Sequence, residues 1–138
     1  MKLPMIAGVI VFAFSAEGAM AACSNPAKQV NKSSDLTTIL SGNTVCAVRG
    51  GDRWQEEHHA GGVLKDYKKG PTDKIDPTKQ VGTWAVSGDG SNTNVTYRYT
   101  GGSTSSYEVW DNGGGSYSFC GPGGVDFTLR AGTGTGCP

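Results

Sequence analysis

The sequence predicts an all-β chain: a small antiparallel meander of about eight strands that closes into a barrel or a strongly curled sheet. A short N-terminal helix and disulfide bonds complete the expectation. Three observations carry it. Apolar and polar residues alternate with period two from Gln80 to Arg130. The alternating runs are separated by glycine-rich turn sequences. The chain holds 4 cysteines and a leader-like N-terminus.

The leader comes first in chain order. Lys2 precedes an apolar run from Leu3 to Phe14, and Ala19-Met20-Ala21 places small residues where a signal peptidase reads. Residues 1–21 therefore read as a signal peptide, leaving 22–138 as a single β-rich domain. Met20-Ala21-Ala22-Cys23 is also readable as a lipobox, with Cys23 acylated. No second apolar stretch suggests a transmembrane segment. The expected location is periplasmic or extracellular.

Residues 22–42 form a polar N-terminal segment. Leu36, Ile39 and Leu40 recur at i, i+3, i+4, so one helical face is apolar. Ser34 or Asp35 would cap it and Gly42 would end it. The meander spans 43–130. Thr44 to Arg49, Trp54 to His59, Val63 to Tyr67 and the VGTWAVS run supply its first half. In the second half, Val95, Tyr97 and Tyr99 share a face, as do Tyr107 and Val109, Tyr117 and Phe119, and Val125, Phe127 and Leu129. The linkers SGDGSNTN, GGST, NGGG and GPGG are rich in turn formers. KKGPTDKIDPTK reads as a loop, because its prolines lack a donor and bias their predecessors away from helix. Residues 131–138 are a glycine-rich tail.

Cys23, Cys46, Cys120 and Cys137 lie beyond the leader, so two disulfides are expected in an oxidising compartment. Four cysteines allow three pairings. The strand order favours Cys46–Cys120, with Cys23–Cys137 tying the termini. Lys and Arg number 12, as do Asp and Glu, so formal charge is zero. That balance gives no electrostatic footprint for nucleic acid.

Val81-Gly82-Thr83-Trp84 ahead of a meander resembles the lipocalin entry motif, which implies a tryptophan plugging a barrel base. A lipocalin carries that motif near its mature start, before eight strands. Here it sits mid-chain, and the match covers no more than Val81 to Arg130. The string from Asn43 to Asp76 and the ending YSFC are similar to small exported bacterial proteins of uncharacterised activity. That similarity implies compartment and β-class.

Both histidines of the chain lie in WQEEHHAGG, residues 54–62. In a strand, Trp54, Glu56 and His58 face one way, and Gln55, Glu57 and His59 the other. The four ionisable side chains therefore do not converge. Glu56, His58 and His59 are the metal candidates, with Asp66 or Asp111 as a further ligand. The spacing is not H-E-x-x-H, and zinc needs at least three protein ligands. A second reading is an edge strand whose charged row discourages edge pairing. A carboxylate at Glu56 would raise His58 into the neutral titration range. Trp110 stands among Arg98, Glu108, Asp126 and Arg130 on a polar face, as a sugar or peptide platform or as a ring covered by the helix around Leu36 and Leu40. Tyr97, Tyr99, Tyr107 and Tyr117 lie on the apolar face, as core or as the lining of a ligand cavity. Asp89 to Asn94 faintly matches a calcium loop but lacks its glycine and terminal glutamate. Asn31-Lys32-Ser33 and Asn94-Val95-Thr96 are glycosylation sequons.

No G-x-S-x-G, C-x-x-C or phosphate-loop motif occurs, so no catalytic residue is assigned and no cofactor is expected. The leading expectation is an exported non-catalytic binding protein, an inhibitor or a module for envelope saccharide or protein. Its surface would be Trp54 to His59 with the loop Lys68 to Lys79, and then Trp110. The alternatives are a carrier with an apolar cavity lined by Tyr97, Tyr99, Tyr107 and Phe119, and a metal-dependent or acid–base hydrolase using the Glu/His stretch.

Overall fold

The computed structural model describes residues 23–49, 52–66, 79–134 and 136–138. The expected leader, residues 1–21, and the loop residues 67–78 lie outside them. Eight antiparallel strands follow one another around a closed barrel. They are β1 (Asn43–Arg49), β2 (Asp52–His58), β3 (Val63–Asp66) and β4 (Gln80–Ser87), then β5 (Asn94–Tyr99), β6 (Thr104–Gly113), β7 (Ser116–Cys120) and β8 (Asp126–Ala131). Closure is made by β8 on β1, with Leu129 opposite Val45 and Phe127 opposite Ala47. The eight-strand expectation is met, and the barrel alternative holds over the curled sheet. Because β2 pairs with both β1 and β3, the edge-strand reading of WQEEHHAGG is overturned.

Directly opposed residues share a face, so the register traces the interior. Val45 opposes Glu56, His58 opposes Leu64, Trp84 opposes Tyr97 and Val109 opposes Phe119. Most of this interior is apolar, as period two requires. Phe119 and Phe127 stack at 4.1 Å, and Tyr97 meets Phe119 edge-on at 5.8 Å. Such ring pairs add to the burial of apolar area.

The helix α1 (Ser33–Leu40) turns one apolar side into the barrel, and Leu36 and Leu40 are fully buried. It contacts β1, β4 and β5, on different sides of the barrel, and so closes one end. The helix starts two residues earlier than a cap at Ser34, or three earlier than one at Asp35, would place it. Lys32 is its N-cap, without a side-chain cap bond. Gly42, at φ 76, ends it as expected. At the same end, Trp84 donates from Nε1 to the His59 carbonyl and packs against His58.

Gly82 shows why a glycine stands inside β4. A Cβ there would collide with the backbone carbonyl of Arg98 on β5, beside the irregular β3–β4 register at Leu64/Lys65. Gly82→Ala is expected to cost about 2 kcal/mol, as overpacking does. Urea denaturation checks this, and an unchanged midpoint would remove the explanation.

The disulfides join Cys23 to Cys120 and Cys46 to Cys137. The expected pairing Cys46–Cys120 with Cys23–Cys137 is corrected. The reason is the path of the tail. After β8 it doubles back along the outside of β1 and β2. Thr44 Oγ1 donates to the Gly132 carbonyl at 2.7 Å, Gly134 N–H donates to Glu57, and Cys137 N–H donates to Gln55 Oε1 at 2.7 Å. That path delivers Cys137 to Cys46. The N-terminal segment instead lies along β6, with Val30 N–H bonded to the Val109 carbonyl at 2.8 Å, and brings Cys23 to the end of β7. With its sulfur bonded to Cys120, Cys23 is not left for acylation. Two disulfides fit an oxidising environment. No described helix is long and apolar enough to cross a membrane.

Candidate binding cavity

The strand β2 divides the WQEEHH residues as period two requires. Trp54, Glu56 and His58 point into the barrel, while Gln55, Glu57 and His59 point out. The outward set is not an open surface. Gln55 and Glu57 are 3% and 2% exposed, under the tail. His59 Nε2 lies 3.1 Å from Glu57 Oε1, where Glu57 also accepts from the Gly134 N–H. The expected partner surface at Trp54 to His59 is thus shared between the barrel interior and a covered seam. Its other half, Lys68 to Lys79, falls almost wholly outside the described residues.

His58 is completely buried. Its Nδ1 lies 3.1 Å from the Glu56 carbonyl and its Nε2 lies 2.8 Å from the Tyr97 hydroxyl. A carbonyl only accepts, so Nδ1 carries the proton and Nε2 accepts from Tyr97. Burial pushes the imidazole down to about 4, against the bond to the Glu56 carbonyl, which favours the charged form. The expectation that His58 titrates near neutrality is therefore corrected. Glu56 takes that role. Desolvation lifts its carboxyl to about 7; the Tyr99 hydrogen bond opposes the rise and nearby Asp66 adds to it. Tyr99 Oη reaches both carboxylate oxygens, at 3.2 and 3.1 Å.

His58 and His59 face opposite sides of the sheet, and each engages groups on its own side. Among the described residues, no three His, Cys, Asp or Glu side chains could hold a metal ion. Asp66 lies across from Glu56 on β3, on the same inner face, whereas Asp111 is exposed on β6.

A cavity of about 370 Å³ occupies the barrel end opposite α1. Trp54, Tyr99 and Tyr107 form its aromatic walls, with Val81 beside them. Glu56 and Asp66 supply carboxyl groups, and Ser103 and Ser105 supply hydroxyls. A small recess of about 20 Å³ continues inward towards Val45, Ala47 and Phe119. That is room for about one water molecule.

The four tyrosines divide between the two roles expected of them. Tyr97 is core, 2% exposed. Tyr99 and Tyr107 line the cavity, and Tyr117 stacks on Phe127 at 5.3 Å. Tyr97 and Tyr99 hold their protons to higher pH than a free phenol, chiefly through burial. Trp110 is covered, but by the N-terminal segment rather than the helix. Its Nε1 donates to the Asn25 carbonyl at 2.8 Å, and its backbone bridges to Gln29. At 6% exposure it offers no platform. Asp89 to Asn94 forms a hairpin loop with a 3₁₀ turn at Gly90–Asn92, docked through the Gly90 N–H onto the Asn31 carbonyl.

Val81, Ser103 and Ser105 were not anticipated in the cavity. For Ser105 a signal existed. It lies at i−2 from Tyr107 and opposite Tyr97, so it is a small residue on the inner face, where it leaves space. No family model, no curated protein and no solved structure matches the chain.

Proposed function

We propose that the chain is an exported, non-catalytic barrel protein that binds a small ligand in the cavity opposite α1. The observation that carries this reading is the cavity itself. It combines aromatic walls, a carboxyl group set inside the barrel and a volume of about 370 Å³. Pockets of roughly 300–1,000 Å³ with apolar walls and a few convergent polar groups are the usual form of small-molecule sites. The disulfide pairs support an oxidising location. The enclosure of Gln55, Glu57 and Trp110 moves support away from a partner surface on β2 or β6.

The test uses the neutral fluorophore N-phenyl-1-naphthylamine with the purified protein. Saturable binding at one site is expected. Ser105→Phe places a ring in the cavity and should weaken that binding at least tenfold at an unchanged melting temperature. Absence of saturable binding, or a Ser105→Phe variant that binds like the wild type, overturns the proposal.

A further inference from the structure

The geometry points to a small organic cation as the ligand class of this cavity, with Glu56 as its counter-charge and Trp54, Tyr99 and Tyr107 as the rings around it. This rests on reading the cavity as a ligand site. Three observations carry it.

The first is where Glu56 sits. Its cross-strand neighbours are Val45 on β1 and Asp66 on β3, so the carboxylate stands on the inner wall, half-buried at the cavity. An ionised carboxylate offers about four acceptor positions. Here, among the described residues, a single hydroxyl, that of Tyr99, is shared between its two oxygens. Among the described residues, no Lys, Arg or His forms an ion pair with Glu56.

The second is the charge of the cavity. Two carboxyl groups line it, and among the described residues no basic side chain does. A charge removed from water is costly unless it is paired. An ammonium group would complete the pair with a charge-assisted hydrogen bond. An anionic ligand would meet the carboxylates at close range.

The third is the ring surface. Tryptophan and tyrosine faces attract a cation within about 6 Å of the ring centre, and more strongly where water is excluded. Three such rings share the cavity with Glu56. A neutral apolar ligand would use the rings and leave the carboxyl without a counter-charge. An organic cation uses both.

The carboxyl lifted to about 7 agrees with this arrangement, since desolvation and nearby Asp66 disfavour the charged form, which a cation would favour. Among the described residues, the titratable groups facing it are Asp66 from β3, Tyr97 and Tyr99 from β5, and Tyr107 from β6. Burial holds the protons of Tyr97 and Tyr99 to higher pH than a free phenol, so binding of a cation near pH 7 should release a proton from Glu56.

The test displaces N-phenyl-1-naphthylamine at pH 8 with three probes of similar shape. These are 2-phenylethylamine, 2-phenylethanol and 3-phenylpropanoate, which carry positive, zero and negative charge. The amine is expected to bind at least tenfold more tightly than the alcohol, and the acid most weakly. Glu56→Gln should bring the amine down to the level of the alcohol, with fluorophore binding retained. Tyr99→Phe, which keeps the carboxylate, should keep the preference for the amine. Equal binding of amine and alcohol by the wild type, or an amine preference that survives Glu56→Gln, overturns the inference and leaves the cavity reading standing. If neither the fluorophore nor any probe binds, the cavity reading fails and takes the inference with it.

Discussion

The double variant Cys46→Ala, Cys137→Ala should lose about 4–5 kcal/mol of stability, since the entropy of closing a loop of this length is of that size. The bond closes a sequence separation of 91 residues. The second disulfide spans an overlapping stretch, 97 residues, so part of the restraint survives. The measured loss should therefore lie at or below the single-loop figure. The effect also has a location. Without the bond, the tail is held along β1 and β2 by hydrogen bonds from Gly134, Cys137 and the Thr44 hydroxyl. Each such bond contributes roughly 1 kcal/mol net, against the entropy of a glycine-rich segment. The tail should open locally before the barrel does. Urea denaturation gives the stability change. Limited trypsin digestion should remove the tail after Arg130 in the variant and spare it in the wild type. Equal cleavage in both would show that the bond does not hold the strap.

Glu56→Gln should stabilise the protein at pH 8, by up to about 3 kcal/mol. The sign follows from the carboxyl being raised from 4.5 to about 7. Between those values the folded state holds a proton that the unfolded state has lost, so stability falls as pH rises through the window. Above it the whole penalty is present, and glutamine avoids it while still accepting from Tyr99. His58 works in the opposite sense. Its folded value is lowered from 6.5 to about 4, so the unfolded state binds the extra proton. Its contribution is complete above the unfolded value and is lost as pH falls through the folded one. The two slopes oppose each other between roughly pH 4.5 and 6.5. The wild type should show a flat profile there, with losses on both sides. Glu56→Gln should replace the plateau with a rise from pH 4 to 6.5. Urea midpoints at half-unit pH intervals measure both profiles, and a variant profile parallel to the wild type would remove Glu56 from the account.

The strands were legible in the sequence because an antiparallel barrel keeps period two along each of them. NVTYRYT, SYSFC and VDFTLR each announce an inner face. The same rule separated Trp54, Glu56 and His58 from Gln55, Glu57 and His59. It did not show that both sets would be enclosed. A strand pattern gives sidedness, not what lies over each side, and charged residues ordinarily mark the side facing water. Here Glu56 and His58 stand inside a barrel, and Glu57 lies beneath the tail. The disulfide pairs escaped for a related reason. They depend on where two irregular segments run, and neither has a periodicity to read. The cavity needed both the register and the closure, since Trp54, Tyr99, Ser105 and Tyr107 come from β2, β5 and β6.

The interleaved bonds Cys23–Cys120 and Cys46–Cys137 also bear on how the protein is made. As a chain is synthesised, the first two thiols to appear are Cys23 and Cys46, and neither is the other's partner. Both correct partners lie beyond residue 119. An oxidant that joins thiols in order of arrival would link Cys23 to Cys46 and trap β1 against the wrong segment. Recovery requires exchange by a free thiolate, a process of seconds to hours that depends on oxidant and isomerase. A host that makes this barrel efficiently must therefore delay oxidation until the strands have closed, or supply an isomerase to undo the early bond.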